Sequence, residues 1–206
     1  MKPAGACVAL AIVLVIALGG CGGRVPSTHY YVLEPRDVFR PDAAAAVLGG
    51  WTIGVETFRV DPPYDQDRIV YRVGENSPEV GFYAYHRWAA PLARMLPRVA
   101  AATLGGVAGT KSIEPIAPGR SYDAFIGGRV LAFEEIDTSE GHRVRVRLAL
   151  HLSTDEEEIW SGTVTGQAAL SSDDVGDVVI EMRSALADAL RSARHGIQVA
   201  LLMRTP

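Results

Sequence analysis

Between Arg143 and Leu152 the chain alternates almost without lapse: Val144, Val146, Leu148, Leu150 and Leu152 on one side, Arg143, Arg145, Arg147 and His151 on the other. A period of two with one apolar and one charged face specifies a strand that covers a core on one side only, the usual state of an antiparallel sheet. Something must then lie on the apolar face. The sequence offers it twenty residues on, where Val175, Val178, Val179, Met182, Leu186, Ala189, Leu190, Ala193 and Ile197 fall on one stripe at helical period. Ser171-Ser172-Asp173-Asp174 supplies N-caps and negative charge at its start. The helix is expected from Val175 to at least Arg194, with Gly196 ending or interrupting it. The three-arginine stripe could hold anions or a partner, but its plainer reading is a solvated face paired with acids such as Glu134 or Glu157.

The remaining elements extend this pattern. Strands are expected over 29–33, 51–60, 67–73, 80–85, 112–116, 122–136, 142–153 and 158–169. Asp61-Pro62-Pro63-Tyr64 closes the second of these, because proline cannot donate to a ladder. Residues 75–78 form a turn, and 41–50 read as a loop or weak helix. A second amphipathic helix is expected over 88–104, with Pro91 in its first turn, Pro97 kinking or breaking it and Gly105-Gly106 ending it. The fold class is therefore α+β: a mainly antiparallel or mixed sheet with two amphipathic helices packed on one face, forming a single domain.

The N-terminus decides where such a domain would live. Lys2 is followed by an uncharged run from Cys7 to Leu18 and then by the small pair Gly19-Gly20, the three-part layout of a secretory signal. The apolar run is about a dozen residues, short of the roughly 20 a spanning helix needs. Leu18-Gly19-Gly20-Cys21 resembles the lipobox of bacterial lipoproteins, which implies cleavage after residue 20 and acylation of Cys21. Two or three acyl chains, at about 0.8 kcal/mol per buried CH₂, hold a protein stably where one chain is marginal. The expected organisation is a signal peptide at 1–20, a lipidated tether at 21–28 and a domain at 29–206. Gly22, where an aspartate would resemble an inner-membrane retention signal, favours the periplasmic face of the outer membrane.

Composition narrows the functions further. The chain has 20 basic and 24 acidic side chains, a formal net charge of −4, where a generic nucleic-acid binder would be basic. Its two cysteines are Cys7 and Cys21. Neither is left for a disulfide, a cysteine zinc site or a cysteine nucleophile in the expected mature chain. Histidines 29, 86, 142, 151 and 195 show no metal-binding spacing, and no Gly-x-Ser-x-Gly elbow occurs. Gly127-Gly128 sits in an extended run and reads as a bulge or a close approach. The acids from Asp155 to Glu158 lack the spacing of a calcium loop and read as a turn. No catalytic or metal site and no cofactor beyond the covalent lipid is expected. The least ordinary stretch is 82–92. Within it Tyr83, Tyr85, Arg87 and Trp88 are the candidate partner surface or structural anchor, Trp88 either stacking with Arg87 toward a partner or locking strand to helix in the core.

Tyr30-Tyr31-Val32-Leu33, then Val60-Asp61-Pro62-Pro63-Tyr64, then Asp67-Arg68-Ile69-Val70-Tyr71-Arg72, then Tyr85-His86-Arg87-Trp88-Ala89-Ala90-Pro91-Leu92 is similar to the ABC-type transport auxiliary lipoproteins, the PqiC-like family. One departure is Asp65-Gln66, where the family pattern usually has a leucine, which bears on the local turn. The resemblance implies a non-enzymatic, outer-membrane-anchored accessory subunit that works with an MCE-domain protein and ABC-transporter inner-membrane subunits in lipid transport. Some members look like ring-forming oligomers, so a homo-oligomer is among the expectations. Two other readings stay open: an outer-membrane assembly or envelope-integrity lipoprotein with a β-barrel partner, and a periplasmic lipid-binding protein.

Overall fold

The longest strand organises the sheet. The computed structural model describes residues 26–35, 50–139 and 141–204. Its elements are β1 (His29–Tyr31), β2 (Trp51–Val55), β3 (Arg59–Val60), β4 (Arg68–Val73), β5 (Val80–Trp88), α1 (Leu92–Leu104), β6 (Thr110–Pro115), β7 (Ala124–Thr138), β8 (Gly141–Ser153), β9 (Glu158–Ala169) and α2 (Val175–Leu202). Strand β7 carries β8 antiparallel along one edge. Along its other edge run three short parallel strands in succession, β2 at its start, β3 in the middle and β4 at its end. Strand β9 extends the sheet beyond β8, β5 and β1 extend it beyond β4, and β6 pairs with β2. The result is the expected α+β architecture on a mixed sheet. Its long hairpins are antiparallel and its short strands are mostly parallel.

The single strand expected over 51–60 is two. Ile53 pairs with Ala124 and Val55 with Ile126, but Arg59 pairs with Arg129, so the register slips by one residue between β2 and β3. Phe58 lies in the slip and is buried. It fits because Gly128 opposes it, where a Cβ would come within 2.6 Å of its ring. The close approach expected of Gly127-Gly128 is thus a side chain laid over the backbone.

The alternation along β8 holds in three dimensions. Val144, Val146, Leu148, Leu150 and Leu152 are all buried, and α2 packs across β8 and β9 over them. Asp174 caps α2, its carboxylate accepting from Gly176 N at 2.6 Å. Gly196 neither ends nor interrupts this helix, which runs on to Leu202. The residue is glycine because a Cβ there would sit 2.3 Å from Trp160 Nε1 on β9. Gly166 serves the same contact from the strand side, since its Cβ would overlap the carbonyl of Ala185.

Helix α1 starts later than its pattern suggested, at Leu92, while Trp88 is the last residue of β5. The residue before a proline is steered away from helical dihedrals, and Pro91 itself is extended at φ −54°, ψ 137°. Pro97 lies inside α1 without breaking it. It forfeits one backbone bond, but the residue is buried. Helix α1 packs on β2, β3 and β6, and it touches α2. Arg194 of α2 donates to the carbonyls of Thr103, Gly105 and Gly106 at 3.1–3.3 Å, which satisfies the open end of α1 with a cation where the helix dipole is negative.

Candidate functional site

Two consecutive carboxylates inside an apolar run, Glu134 and Glu135 of β7, organise the polar part of the molecule. They are 0% and 3% exposed, and each must be matched because an unpaired buried charge is costly. Successive strand residues point to opposite faces, and the two acids have separate sets of partners.

On one side Glu134 accepts from Tyr64 Oη at 2.7 Å, from Arg72 Nε at 3.1 Å and Nη2 at 3.0 Å, and from Arg145 Nη2 at 2.5 Å. Glu75 bridges Arg145, at 2.9 Å, and Arg143. Burial would raise the Glu134 pKa, but the bonds from Arg72, Tyr64 and Arg145 outweigh it and hold the carboxyl below the usual range. Burial together with the bond to Glu134 pushes the Tyr64 hydroxyl up to about 12. Arg143 and Arg145 of the expected solvated stripe are thus paired with acids. Arg147 is exposed, and Glu157 pairs with Arg204 at 3.2 Å.

On the other side Glu135 accepts from Tyr83 Oη at 2.6 Å and lies 3.2 Å from His142 Nδ1. Tyr83 is placed by an irregularity in β5. Arg68 faces Arg87 and Val70 faces Phe82, so five residues advance on β5 against two on β4. Bulges of this kind re-aim side chains. Here the bulge gathers aromatic rings. His86 stacks with His29 at 5.2 Å and Tyr31 at 5.8 Å and meets the edge of Tyr83 at 5.7 Å. The Tyr31 hydroxyl hydrogen-bonds His86 Nδ1 at 2.8 Å. Burial, and then the neighbouring His29, lower the His86 pKa, so the imidazole is held toward its neutral form. Burial and the Glu135 carboxylate raise that of Tyr83.

The four residues singled out from sequence are separated by this geometry. Trp88 is 4% exposed and packs edge-to-face on Phe133 at 5.6 Å. Arg87 does not stack on it but pairs with Asp67 at 2.6 Å. Tyr83 is tied to Glu135, and Tyr85 is 39% exposed. The sequence reading missed Glu135, His29, His86 and His142 as neighbours. One signal was available for the first: two acids in the middle of Val130-Leu131-Ala132-Phe133-Glu134-Glu135-Ile136. Leu18, Gly19, Gly20 and Cys21 lie outside the described residues, as do most of the tether and the segment 41–49.

Fold and site together define an α+β domain with a bulged aromatic strand over buried carboxylates. Among the described residues, no helix is long and apolar enough to cross a membrane. The chain belongs to the family described as "ABC-type transport auxiliary lipoprotein component", whose model matches residues 31–193. No curated protein matches it. Among solved structures it is similar to a Xanthomonas campestris protein of the DUF330 family, at 20% identity and TM-score 0.65 over 85% of this chain and 98% of that one. An uncharacterized protein is similar at 15% identity and TM-score 0.65, over 84% and 99%. A PelC dodecamer from Paraburkholderia phytofirmans matches 70% of this chain and 87% of its own at 17% identity and TM-score 0.43, too loose a likeness to bear on assembly here.

Proposed function

We propose that this auxiliary component is anchored in the outer membrane by lipid on Cys21, facing the periplasm, and docks an MCE-type conduit of an ABC-driven lipid transport system to that membrane. The observation that carries the reading is the family match over 31–193 in a chain with a small-residue pair and cysteine after a short apolar run. The chain acts as a scaffold and performs no catalysis. One end is fixed by the lipid and the folded domain presents an interface, so anchor and interface together raise the effective concentration of the conduit at its destination. The eight residues 21–28 reach about 28 Å at full extension, which keeps β1 close to the bilayer.

The exposed Tyr85 on the bulged strand is the place to look for the partner. A photo-crosslinking residue at position 85, in cells carrying the acylated protein, is expected to capture an MCE-domain or ABC-transporter subunit. Capture of a β-barrel assembly protein instead would overturn the reading.

A further inference from the structure

Helix α1 carries two charged side chains, Arg94 and Arg98, and no acid. They are four residues apart, about 6 Å along the axis, on one face. Both are exposed, and neither side chain makes an ion pair or hydrogen bond among the described residues. Like charges at this spacing repel each other, and nothing in the described fold relieves them. The protein's net charge is −4, and among the described residues Arg72, Arg87, Arg129 and Arg145 are ion-paired with acids where these two adjacent arginines are not.

The two guanidinium groups stand between two clefts that share them. The first, of about 530 Å³, is walled by Val32, Leu33 and Met95. The second, of about 430 Å³, is walled by Pro97 and Ile116. An acid lies at the rim of each, and neither is ion-paired to Arg94 or Arg98 among the described residues. Glu34 has an interaction of its own, and Glu56 lies 4.0 Å from His151. The first wall also follows directly on β1, the first described strand after the tether. Ala89 N donates to Tyr31 O at 2.8 Å, which lays the residues after β1 along the start of α1.

We infer that this face of α1 binds the headgroups of anionic phospholipids at the membrane surface, with phosphate on Arg94 and Arg98 and the exposed Val32 and Ile116 against the upper acyl region. Charge complementarity selects an anion, and guanidinium groups match phosphate geometry. The exposed apolar side chains Val32 and Ile116, one on each side of the arginines, select an amphiphile over a free ion. The inference rests on the proposed anchoring only in placing the domain beside a bilayer.

The test uses the chain from Gly22 onward, which retains every described residue and lacks Cys21, so its failure would leave the anchoring itself untouched. Sedimentation with vesicles of phosphatidylethanolamine and phosphatidylglycerol is compared with phosphatidylcholine vesicles. Binding is expected to the first and not the second. Each arginine near an anionic surface is worth about a fivefold change in partition, so Arg94→Gln with Arg98→Gln is expected to weaken binding about thirtyfold. Lys111→Gln with Arg147→Gln removes the same charge from exposed positions elsewhere and is expected to change it less than twofold. Circular dichroism checks that each variant is folded. Absence of binding, equal losses in the two pairs, or displacement by millimolar inorganic phosphate at constant ionic strength would each overturn the inference.

Discussion

Replacing Glu134 by glutamine is the sharpest test of how the sheet is held together. The change keeps size and shape but removes the charge on which Arg72 and Arg145 converge at 2.5–3.1 Å. Breaking a fully buried pair costs about 3–5 kcal/mol, because the partner is left as an uncompensated charge. Here the carboxylate is wholly buried but the arginine side chains are 17% and 21% exposed, so water relieves part of the loss. A cost of about 3 kcal/mol is expected, which for a domain of this size lowers Tm by about 6–12 °C.

The pH dependence supplies an independent check. The folded-state pKa of Glu134 is depressed, so its contribution is fully present above the unfolded carboxylate pKa and is lost as pH falls through the folded value. Urea unfolding of wild type and variant should differ by about 3 kcal/mol at pH 7. The difference should stay near that value down to about pH 5 and shrink progressively at lower pH as the wild-type carboxyl protonates. A variant within 1 kcal/mol of wild type at pH 7, or a gap independent of pH down to 2, would refute the reasoning.

Other substitutions follow from the packing. Gly196→Ala, which would stabilise an open helix by about 1 kcal/mol, is expected to destabilise this one because the new Cβ meets Trp160; the sign of the Tm change decides. Trp88→Ala should cost about 3–5 kcal/mol in chemical denaturation by emptying the contact with Phe133, while Tyr85→Ala, on an exposed position, should stay within about 0.5 kcal/mol. Arg194→Met keeps the aliphatic stem but leaves three carbonyls at the end of α1 without their donor, so hydrogen exchange in residues 101–107 should accelerate. Cys21→Ser should leave the domain folded yet move it out of the membrane fraction and abolish transport complementation; full complementation by the unanchored protein would contradict the role given to the lipid.

The parts of this fold that were legible in the sequence are those whose reason is local. The β8 alternation, the α2 stripe and the Asp174 cap each follow from a few neighbouring residues. Other features have a distant cause and could not be read that way. Trp51 to Val60 looks continuous until β7 imposes two registers on it, with Phe58 seated over Gly128. Gly196 reads as a helix breaker until Trp160, on a strand 36 positions earlier, fills its missing side chain. Residues 88–104 read as one helix in sequence, although Pro91 steers the residue before it away from helical dihedrals. The aromatic cluster was hidden for a related reason. His29 is remote in sequence from His86, and the pairing of β1 with β5 brings the two together while the β5 bulge places Tyr83; His142 reaches Glu135 separately, across the β7–β8 hairpin.

The most direct test of the whole account is affinity purification of the acylated, folded protein from envelope extracts in mild detergent, with bound proteins identified by mass spectrometry. The account predicts co-purification of an MCE-domain protein or of permease and ATPase subunits of an ABC transporter. Recovery of none of these, with the bait shown to be acylated and folded, would contradict it.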